Sequence, residues 1–331
     1  MNILIFEYIT GGGMLGQPLS PSLEREGDLM LRAAVNDFQQ LPDCSVFTLR
    51  DKRLGNGVEG AETIVIEPGE HYSEKLEQLA CKKDALLIIA PEYDDILYSL
   101  CKRCSGQTFK LLNCEIETIR LTSNKYATYR HLLAHNVPQI PTCLTSDARH
   151  LGGEQFIMKP VDGAGCTEVS LLNNRSELQA AADLPDRNQY IFQPYVQGTH
   201  ASLSLLCLQG RCSVLSCNEQ YIREGNGCLQ WVKCNVNAFE RDRFTPFCDR
   251  LVQALPGLCG YVGVDVVITG NQILLVEINP RLTTSYVGLG SVLCVNPAEL
   301  ILKCFLDRQL PGLVPANMGT VMVDLVACHA A

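Results

Sequence analysis

The sequence predicts an α/β unit with a parallel sheet, followed by an α+β region with antiparallel sheets. Three observations carry this. Between residues 2 and 113, apolar runs of strand length alternate with amphipathic stretches of helix length. After Ser123 the alternation stops, and from Phe156 onward short strands dominate. Near the C-terminus two apolar runs, 262–268 and 273–278, flank Thr269-Gly270-Asn271-Gln272, which reads as a hairpin turn.

Residues 2–9 read as a buried strand, broken by Thr10-Gly11-Gly12-Gly13. Ser22 is the expected cap of a helix to about residue 40, with Leu29, Met30, Ala33, Ala34 and Phe38 on its apolar face. Strands are expected at 45–49, 63–66, 85–90 and 110–113, and helices at 73–81 and 94–103. That order implies right-handed crossovers. A helix over 124–136 leads into Val137-Pro138-Gln139-Ile140-Pro141, an extended linker. Strands follow at 156–159, 167–172, 189–194, 201–207 and 213–220, with helices at 243–254 and 298–305. No internal repeat or low-complexity segment interrupts the chain.

The chain has 331 residues and 47% hydrophobic content, enough for two or three packed units. Its net charge is −9 and no long basic run is present. Non-specific nucleic-acid binding and binding to anionic membranes are therefore not expected. No apolar run approaches the ~20 residues that span a bilayer, and no basic segment precedes the first apolar stretch as a signal peptide would require. These features, with an odd count of 17 cysteines, imply a cytoplasmic protein with reduced thiols. Cys101-Lys102-Arg103-Cys104 is a lone CxxC without a second pair at zinc spacing, and a structural reading is favoured.

The C-terminal hairpin is the most informative element. Each apolar run carries an acid, Asp265 and Glu277, where a buried strand wants Val or Ile. An ionised carboxylate there is costly unless paired. Glu277 and Asn279 are two apart and share a face. Two-residue pairing at the turn would put Asp265 on the other face. An odd loop at 270–272, or a bulge, sets it opposite Glu277, and that register is expected here because it gathers three oxygen ligands. Two carboxylates ~4 Å apart repel by ~4 kcal/mol at an effective dielectric of 20, which a divalent cation removes. Few, hard oxygen ligands suit Mg²⁺, with Mn²⁺ as the alternative ion. Acids at strand ends facing water are the plain alternative, and the uniformly apolar flanks count against it.

Other motifs are weaker singly. Gly11, Gly13 and Gly16 satisfy G-x-G-x-x-G, but Pro18 and Pro21 follow where the helix should open, and Asp51 comes too late for the dinucleotide fingerprint. A loop at the carboxyl ends of the parallel strands is the better reading. Glu7, Thr10 and Glu92 lie at such strand ends and are candidates for the polar part of a substrate. For Glu92, a plain acid at a helix start weighs equally. Phe156 to Cys166 places Lys159 before Gly163, Ala164 and Gly165. A Walker loop has the opposite order, so this is a lysine at a pocket lip followed by a glycine loop whose N–H groups can cover a triphosphate. Gln193, Pro194, Tyr195 and Val196 leave a strand extended and can offer backbone groups to an adenine edge. No nucleophile–histidine pair is evident.

In order and spacing, Lys125 of Thr122-Ser123-Asn124-Lys125, Lys159-Pro160 with its glycine loop, Gln193-Pro194-Tyr195-Val196, Asp265 and Glu277-Ile278-Asn279-Pro280-Arg281 together resemble the ATP-grasp superfamily across residues 120–310. The resemblance implies an ATP-grasp fold preceded by a Rossmann-like parallel α/β domain. It divides the chain into residues 1–119, a small lobe at 120–196 and a large lobe at 197–331. It implies that ATP lies between the lobes, with Lys125 and Lys159 on its phosphates and residues 193–196 along the adenine. Asp265, Glu277 and Asn279 would hold Mg²⁺, and Arg281 and Lys159 would be catalytic. The implied reaction activates a carboxylate as an acylphosphate and passes it to an amine. Phe6-Glu7-Tyr8, Ala90-Pro91-Glu92 and residues 279–286 are similar to the tyramine–L-glutamate ligases of methanofuran biosynthesis. This implies small-molecule partners, glutamate through its γ-carboxylate and tyramine or a related amine, with Thr283, Thr284 and Ser285 beside the acceptor. A homodimer is compatible with this reading. The alternatives are a dipeptide or D-alanine type ligase and a catalytically silent ATP-binding module. Two departures stand out: Asn124 where Asp is usual, and Gln197 where Glu commonly grips the ribose. Asn218-Glu219-Gln220 receives no role.

Overall fold

Five parallel strands build the N-terminal sheet: β1 (Asn2–Glu7), β2 (Ser45–Asp51), β3 (Ala61–Ile66), β4 (Ala85–Ile89) and β5 (Lys110–Leu111). Their crossovers carry α1 (Pro21–Gln39), α2 (Tyr72–Ala80) and α3 (Ile96–Cys104). The computed structural model describes residues 1–55, 57–163, 169–183, 189–225, 228–312, 314–315 and 319–324. Ile3, Leu4, Ile5 and Phe6 of β1 are all fully buried, because helices cover both faces of a parallel sheet. The strand order is β3-β2-β1-β4-β5. It reverses between β1 and β4, which opens a crevice beyond their carboxyl ends. Glu7 pairs with Ile89 at that edge.

Two local expectations need adjusting. Helix α1 opens two residues earlier than expected, with Ser20 rather than Ser22 at its cap and Pro21 in its first turn. Proline is suited to that place, where its missing N–H has no partner to lose. The glycines at 11–13 form a π-helical turn, Ile9–Gly13, in which Gly12 has φ 101°. They do not lead directly into a helix, in keeping with the rejected dinucleotide reading.

Helices α4 (Ile116–Ser123) and α5 (Lys125–Ala134) lead into the second region. Its first strands are β6 (Cys143–Leu144), β7 (Phe156–Pro160), β8 (Ser170–Leu172) and β9 (Tyr190–Pro194), with α6 (Arg175–Ala182) before β9. Then come β10 (Thr199–Leu208), β11 (Arg211–Gly225), β12 (Cys228–Val236), α7 (Thr245–Ala254), β13 (Gly260–Thr269) and β14 (Gln272–Asn279). The described chain closes with α8 (Leu289–Val292), α9 (Pro297–Leu306) and β15 (Val321–Asp324). The strands form one sheet in the order β14-β13-β10-β11-β12-β8-β7-β9-β6, with β15 on β12. The segment before β6 ties its two ends together. Ile140 N–H donates to Leu275 of β14 at 3.2 Å, and Leu275 N–H donates to Pro138 at 3.1 Å. Three residues later Cys143 pairs with Phe192 of β9. The sheet therefore folds back on itself and leaves a cleft between its halves.

One apolar core runs from the N-terminal sheet, through Leu4, Phe6 and Ile88, to Leu203, Val264 and Ile278 of the C-terminal sheet. The β6–β9 half has a separate cluster around Phe156, Leu178 and Phe192. Helices α4, α6 and α8 and strands β12 and β15 are not anticipated from the sequence. Cys101 and Cys104 are buried on α3, and burial pushes the Cys104 thiol up to about 11. They are core residues with inert thiols, as the structural reading of that CxxC expects. Among the described residues, no helix is long and apolar enough to cross a membrane.

Asn113 replaces a strand residue beside β4. Its Oδ1 accepts from Ile88 N–H at 3.0 Å and its Nδ2 donates to Ile88 C=O at 2.8 Å, all buried. Asn113→Ala should orphan both groups and lower unfolding free energy by roughly 2–4 kcal/mol, measured by urea denaturation. A loss below about 0.5 kcal/mol would show that water replaces the amide.

Candidate active site

The hairpin of β13 and β14 sets the site. Thr269 pairs with Gln272, so the loop is the two-residue turn 270–271. On that register alone Asp265 would face away from Glu277. A bulge between Asp265 and Val266 makes Val276 the extra residue and brings Asp265 directly opposite Glu277. A bulged residue drops out of the ladder, and the Val276 carbonyl accepts from Lys159 Nζ at 3.4 Å.

Asp265, Glu277 and Asn279 therefore share one face. Asn279 Nδ2 donates to Asp265 Oδ2 at 3.0 Å, and Gln220 Nε2 donates to Asp265 Oδ1 at 2.9 Å. Burial and the Glu277 charge push the Asp265 carboxyl up to about 6, against those amides and Lys159. Lys125 Nζ lies 3.5 Å from Glu277 Oε1. Among the described residues no group of three or more His, Cys, Asp or Glu could hold a metal ion. The donor set here is two carboxylates and an amide, all oxygen. It fits a hard cation that takes its remaining ligands from water or phosphates.

Lys125 opens α5, and Asn124 caps that helix, its Oδ1 accepting from Ala127 N–H at 2.8 Å. An amide oxygen does this as well as a carboxylate, so the departure at 124 leaves Lys125 in place. Lys125 N–H donates to Val161 at 2.8 Å, and its ammonium donates to the Gly163 carbonyl. Ala164 and Gly165 lie outside the described residues. Lys125, Tyr129, Thr142, Gln193 and Glu277 line one cleft. Gln193 is buried and donates to Thr142 Oγ1 at 2.8 Å. Tyr195 N–H donates to Gln155 at 2.8 Å, and Pro194 and Val196 are half-buried.

Arg281 follows the acid face and reaches the N-terminal sheet. Its Nε and Nη2 donate to the two oxygens of Glu92 at 2.9 and 3.0 Å, and its Nη1 donates to Leu282 C=O at 3.1 Å. Burial lowers the guanidinium pKa, but Glu92, Glu26 and Glu277 outweigh it and hold it above its ordinary value. Glu7 is buried at the end of β1. It accepts from Ile9 N–H at 3.0 Å, Thr10 N–H at 2.7 Å and Thr10 Oγ1 at 2.7 Å, so Glu7 and Thr10 pin the glycine turn. Burial raises the Glu7 pKa, against Thr10, Ile9 and Arg281.

Thr283 and Ser285 join Tyr261 and Ser204 in a buried hydroxyl network, with contacts of 3.0–3.2 Å. Thr284 Oγ1 instead donates to Glu26 at 2.6 Å. Gly263 permits this packing, since a Cβ there would lie 2.4 Å from Thr283 Cγ2. Gln220, Ser204, Tyr261 and Glu26 escaped the sequence reading. Only Gln220, inside the unassigned 218–220 segment, carried a signal: it stands on β11, two strands from β13, and its side chain reaches Asp265 across β10.

Residues 122–285 match the ATP-grasp domain family, and residues 44–119 match the pre ATP-grasp 3 domain. The chain belongs to the ATP-grasp superfamily. It is 29% identical over 325 residues to the tyramine–L-glutamate ligase of Methanocaldococcus jannaschii, covering 96% of this chain and 94% of the relative. It is also 29% identical over 322 residues to the tyramine–L-glutamate ligase of Methanocaldococcus fervens, covering 96% and 99%. The crystal structure of an ATP-grasp superfamily protein from Archaeoglobus fulgidus is similar with a TM-score of 0.72 and 25% identity, covering 98% of this chain and 92% of that one. The expected fold, an ATP-grasp region after a Rossmann-like parallel domain, therefore holds, and an ATP site belongs to it.

Asp265 has a pH signature. Its folded pKa, about 6, exceeds the unfolded 3.8. The cation-free native state thus binds the proton more tightly, and stability present below pH ~4 is lost as pH rises to ~6. Asp265→Asn should flatten that decline, on the order of 2 kcal/mol, in urea titrations from pH 4 to 7. Identical slopes in both proteins would refute the assignment.

Proposed function

We propose that this protein is an ATP- and Mg²⁺-dependent carboxylate–amine ligase that joins the γ-carboxylate of glutamate to tyramine or a related amine. One observation carries the chemistry. An oxygen-donor face of Asp265, Glu277 and Asn279 meets two lysines on one side and Arg281 on the other. Cations around a triphosphate are what phosphoryl transfer needs, because most of its catalysis is positioning and charge stabilisation. The similarity to tyramine–L-glutamate ligases over nearly the whole chain supports the choice of substrates.

In this reading Lys125 and Lys159 hold the phosphates. The glycine loop that begins at Gly163 covers them, and residues 193–196 run along the adenine. Asp265, Glu277 and Asn279 would hold Mg²⁺, which would offset the charge of the phosphates. A glutamate carboxylate oxygen attacks the γ-phosphorus and ADP leaves. The amine nitrogen then attacks the acylphosphate carbonyl, phosphate departs, and the nitrogen loses its proton. Arg281 has five N–H groups. Three are engaged by Glu92 and Leu282, so one on each terminal nitrogen can face the transferring phosphoryl group. Thr283 and Ser285 stand beside the acceptor, with Glu7 and Thr10 shaping the crevice behind Arg281.

The test is ADP release from MgATP with L-glutamate, adding tyramine and then other amines, with mass spectrometry of the product. Tyramine-dependent ADP release with a new amide is expected. Turnover only with another amino acid would favour a dipeptide-type ligase, and tight ATP binding without turnover would favour a silent module. Arg281→Ala should lower kcat by at least about 10²-fold and leave ATP affinity within a few fold. Equal losses in both would assign Arg281 to ground-state binding instead.

A further inference from the structure

We infer that Glu92 is a positioning residue for Arg281, through which the N-terminal domain sets the angle of the guanidinium at the reaction centre. The inference rests on the role proposed for Arg281. Glu92 and Arg281 are 189 residues apart and meet in a two-point fork, with side chains only 3% and 11% exposed. A single contact leaves a guanidinium free to rotate, whereas a fork fixes its plane. Both Glu92 oxygens accept from Arg281, so the guanidinium is the partner that orients this carboxylate.

The position has a topological cause. Glu92 follows the end of β4 and Glu7 ends β1. Those strands flank the point where strand order reverses, the usual crevice for ligands in such sheets. Here the guanidinium of another domain enters that crevice. The backbone after Glu92 is shaped to hold it there. Asp94 and Asp95 take left-handed conformations in succession, with φ 53° and 55°, which non-glycine residues seldom adopt. Leu97 N–H donates back to Pro91 at 3.1 Å, and Asp94 N–H reaches Asp162 Oδ2 at 3.2 Å, at the base of the glycine loop. Thr284, on the same segment as Arg281, is tethered separately to Glu26.

Glu92→Gln keeps the shape and removes the charge. If Glu92 acts through Arg281, kcat should fall by about 10²-fold, the scale of a small misplacement at a reacting centre, with the ATP KM within about threefold. In an Arg281→Ala background the same change should add less than about twofold, since coupled residues lose their effect together. Equal penalties in both backgrounds would show that Glu92 acts on the substrate itself and would overturn the proposal. Should Glu92→Gln fail to fold, Glu92→Asp, which keeps the charge one methylene short, replaces it in the cycle.

A second readout does not depend on the substrates. In ¹⁵N-arginine-labelled full-length protein, the Nε–H signal missing from Arg281→Lys identifies Arg281. It should exchange slowly with solvent in the wild type. Glu92→Gln should shift it and speed its exchange, while Glu177→Gln, at the exposed start of α6, should leave it in place. An Arg281 signal unmoved by Glu92→Gln would overturn the proposal even if the enzyme proved to use other substrates. A wild type inactive on every amine, with the signal responding as expected, would fault the substrate assignment and leave the Glu92–Arg281 coupling standing.

Discussion

One inserted residue decides which face of the C-terminal hairpin carries charge. With the two-residue turn that Gly270 and Asn271 make, unbroken pairing would set Asp265 against Val276 and send Glu277 to the opposite face. A one-residue slip moves every side chain across a sheet. The bulge at Val276 performs that slip halfway along the strand. Beyond it, toward the turn, Ile268 and Val266 keep their apolar register with Ile273 and Leu275. On the other side, Asp265 and Glu277 align, and Asn279 falls opposite Gly263. Because Gly263 has no side chain, Thr283 can lie over that position. The acid pair, the Lys159 contact and the seat of the 283–285 segment all follow from this one irregularity.

The second constraint is the meeting of two sheets. The N-terminal sheet ends in a crevice flanked by buried carboxylates, Glu7 and Glu92. The C-terminal hairpin ends in a buried arginine. Neither is stable alone: an uncompensated charge in such surroundings is far costlier than the pair. A continuous apolar core joins the sheets beneath, and Arg281 meets Glu92 between them at the site. The β6–β9 half stands apart, with its own small core. It meets the rest through the short β8–β12 pairing, backbone bonds at 138–140 and lysine contacts, a softer connection than shared packing.

Much of this was legible in the chain because it rested on local patterns. The fully apolar run at 2–6 marked a strand covered on both faces, and strand–helix alternation marked the parallel sheet. The two acids in apolar runs marked the hairpin face, since a charge buried there must be paired or must bind an ion. What stayed hidden depended on partners distant in sequence. Gln220 looks like any strand residue until β11 lies two strands from Asp265. Glu92 looked like a substrate ligand or a helix-start acid, and its partner is 189 residues away. Helix α6 was missed because the eight residues 175–182 bury little apolar surface, and β12 because its alternation changes phase at Trp231-Val232, from Leu229 and Trp231 to Val232, Cys234 and Val236. The bulge was anticipated only as one of two ways to satisfy the acids. Chemistry demanded the register, but no residue announced the position of the extra one.

The charges at the site are balanced before any ligand arrives. Lys125 lies on Glu277, Lys159 lies near Asp265 and on the Val276 carbonyl, and neutral amides from Gln220 and Asn279 hold Asp265. In the proposed reaction a triphosphate competes for both lysines. Drawing Lys125 away leaves Glu277 opposite Asp265 without its cation, and burial makes that repulsion expensive. A divalent ion between the two acids relieves it and binds the same phosphates. Nucleotide and cation would thus strengthen each other's binding through Lys125 and Glu277, and linkage makes that coupling reciprocal. The amides fit this scheme better than lysines would in their place. Their N–H groups steady the Asp265 carboxylate, yet add no positive charge to oppose an incoming cation.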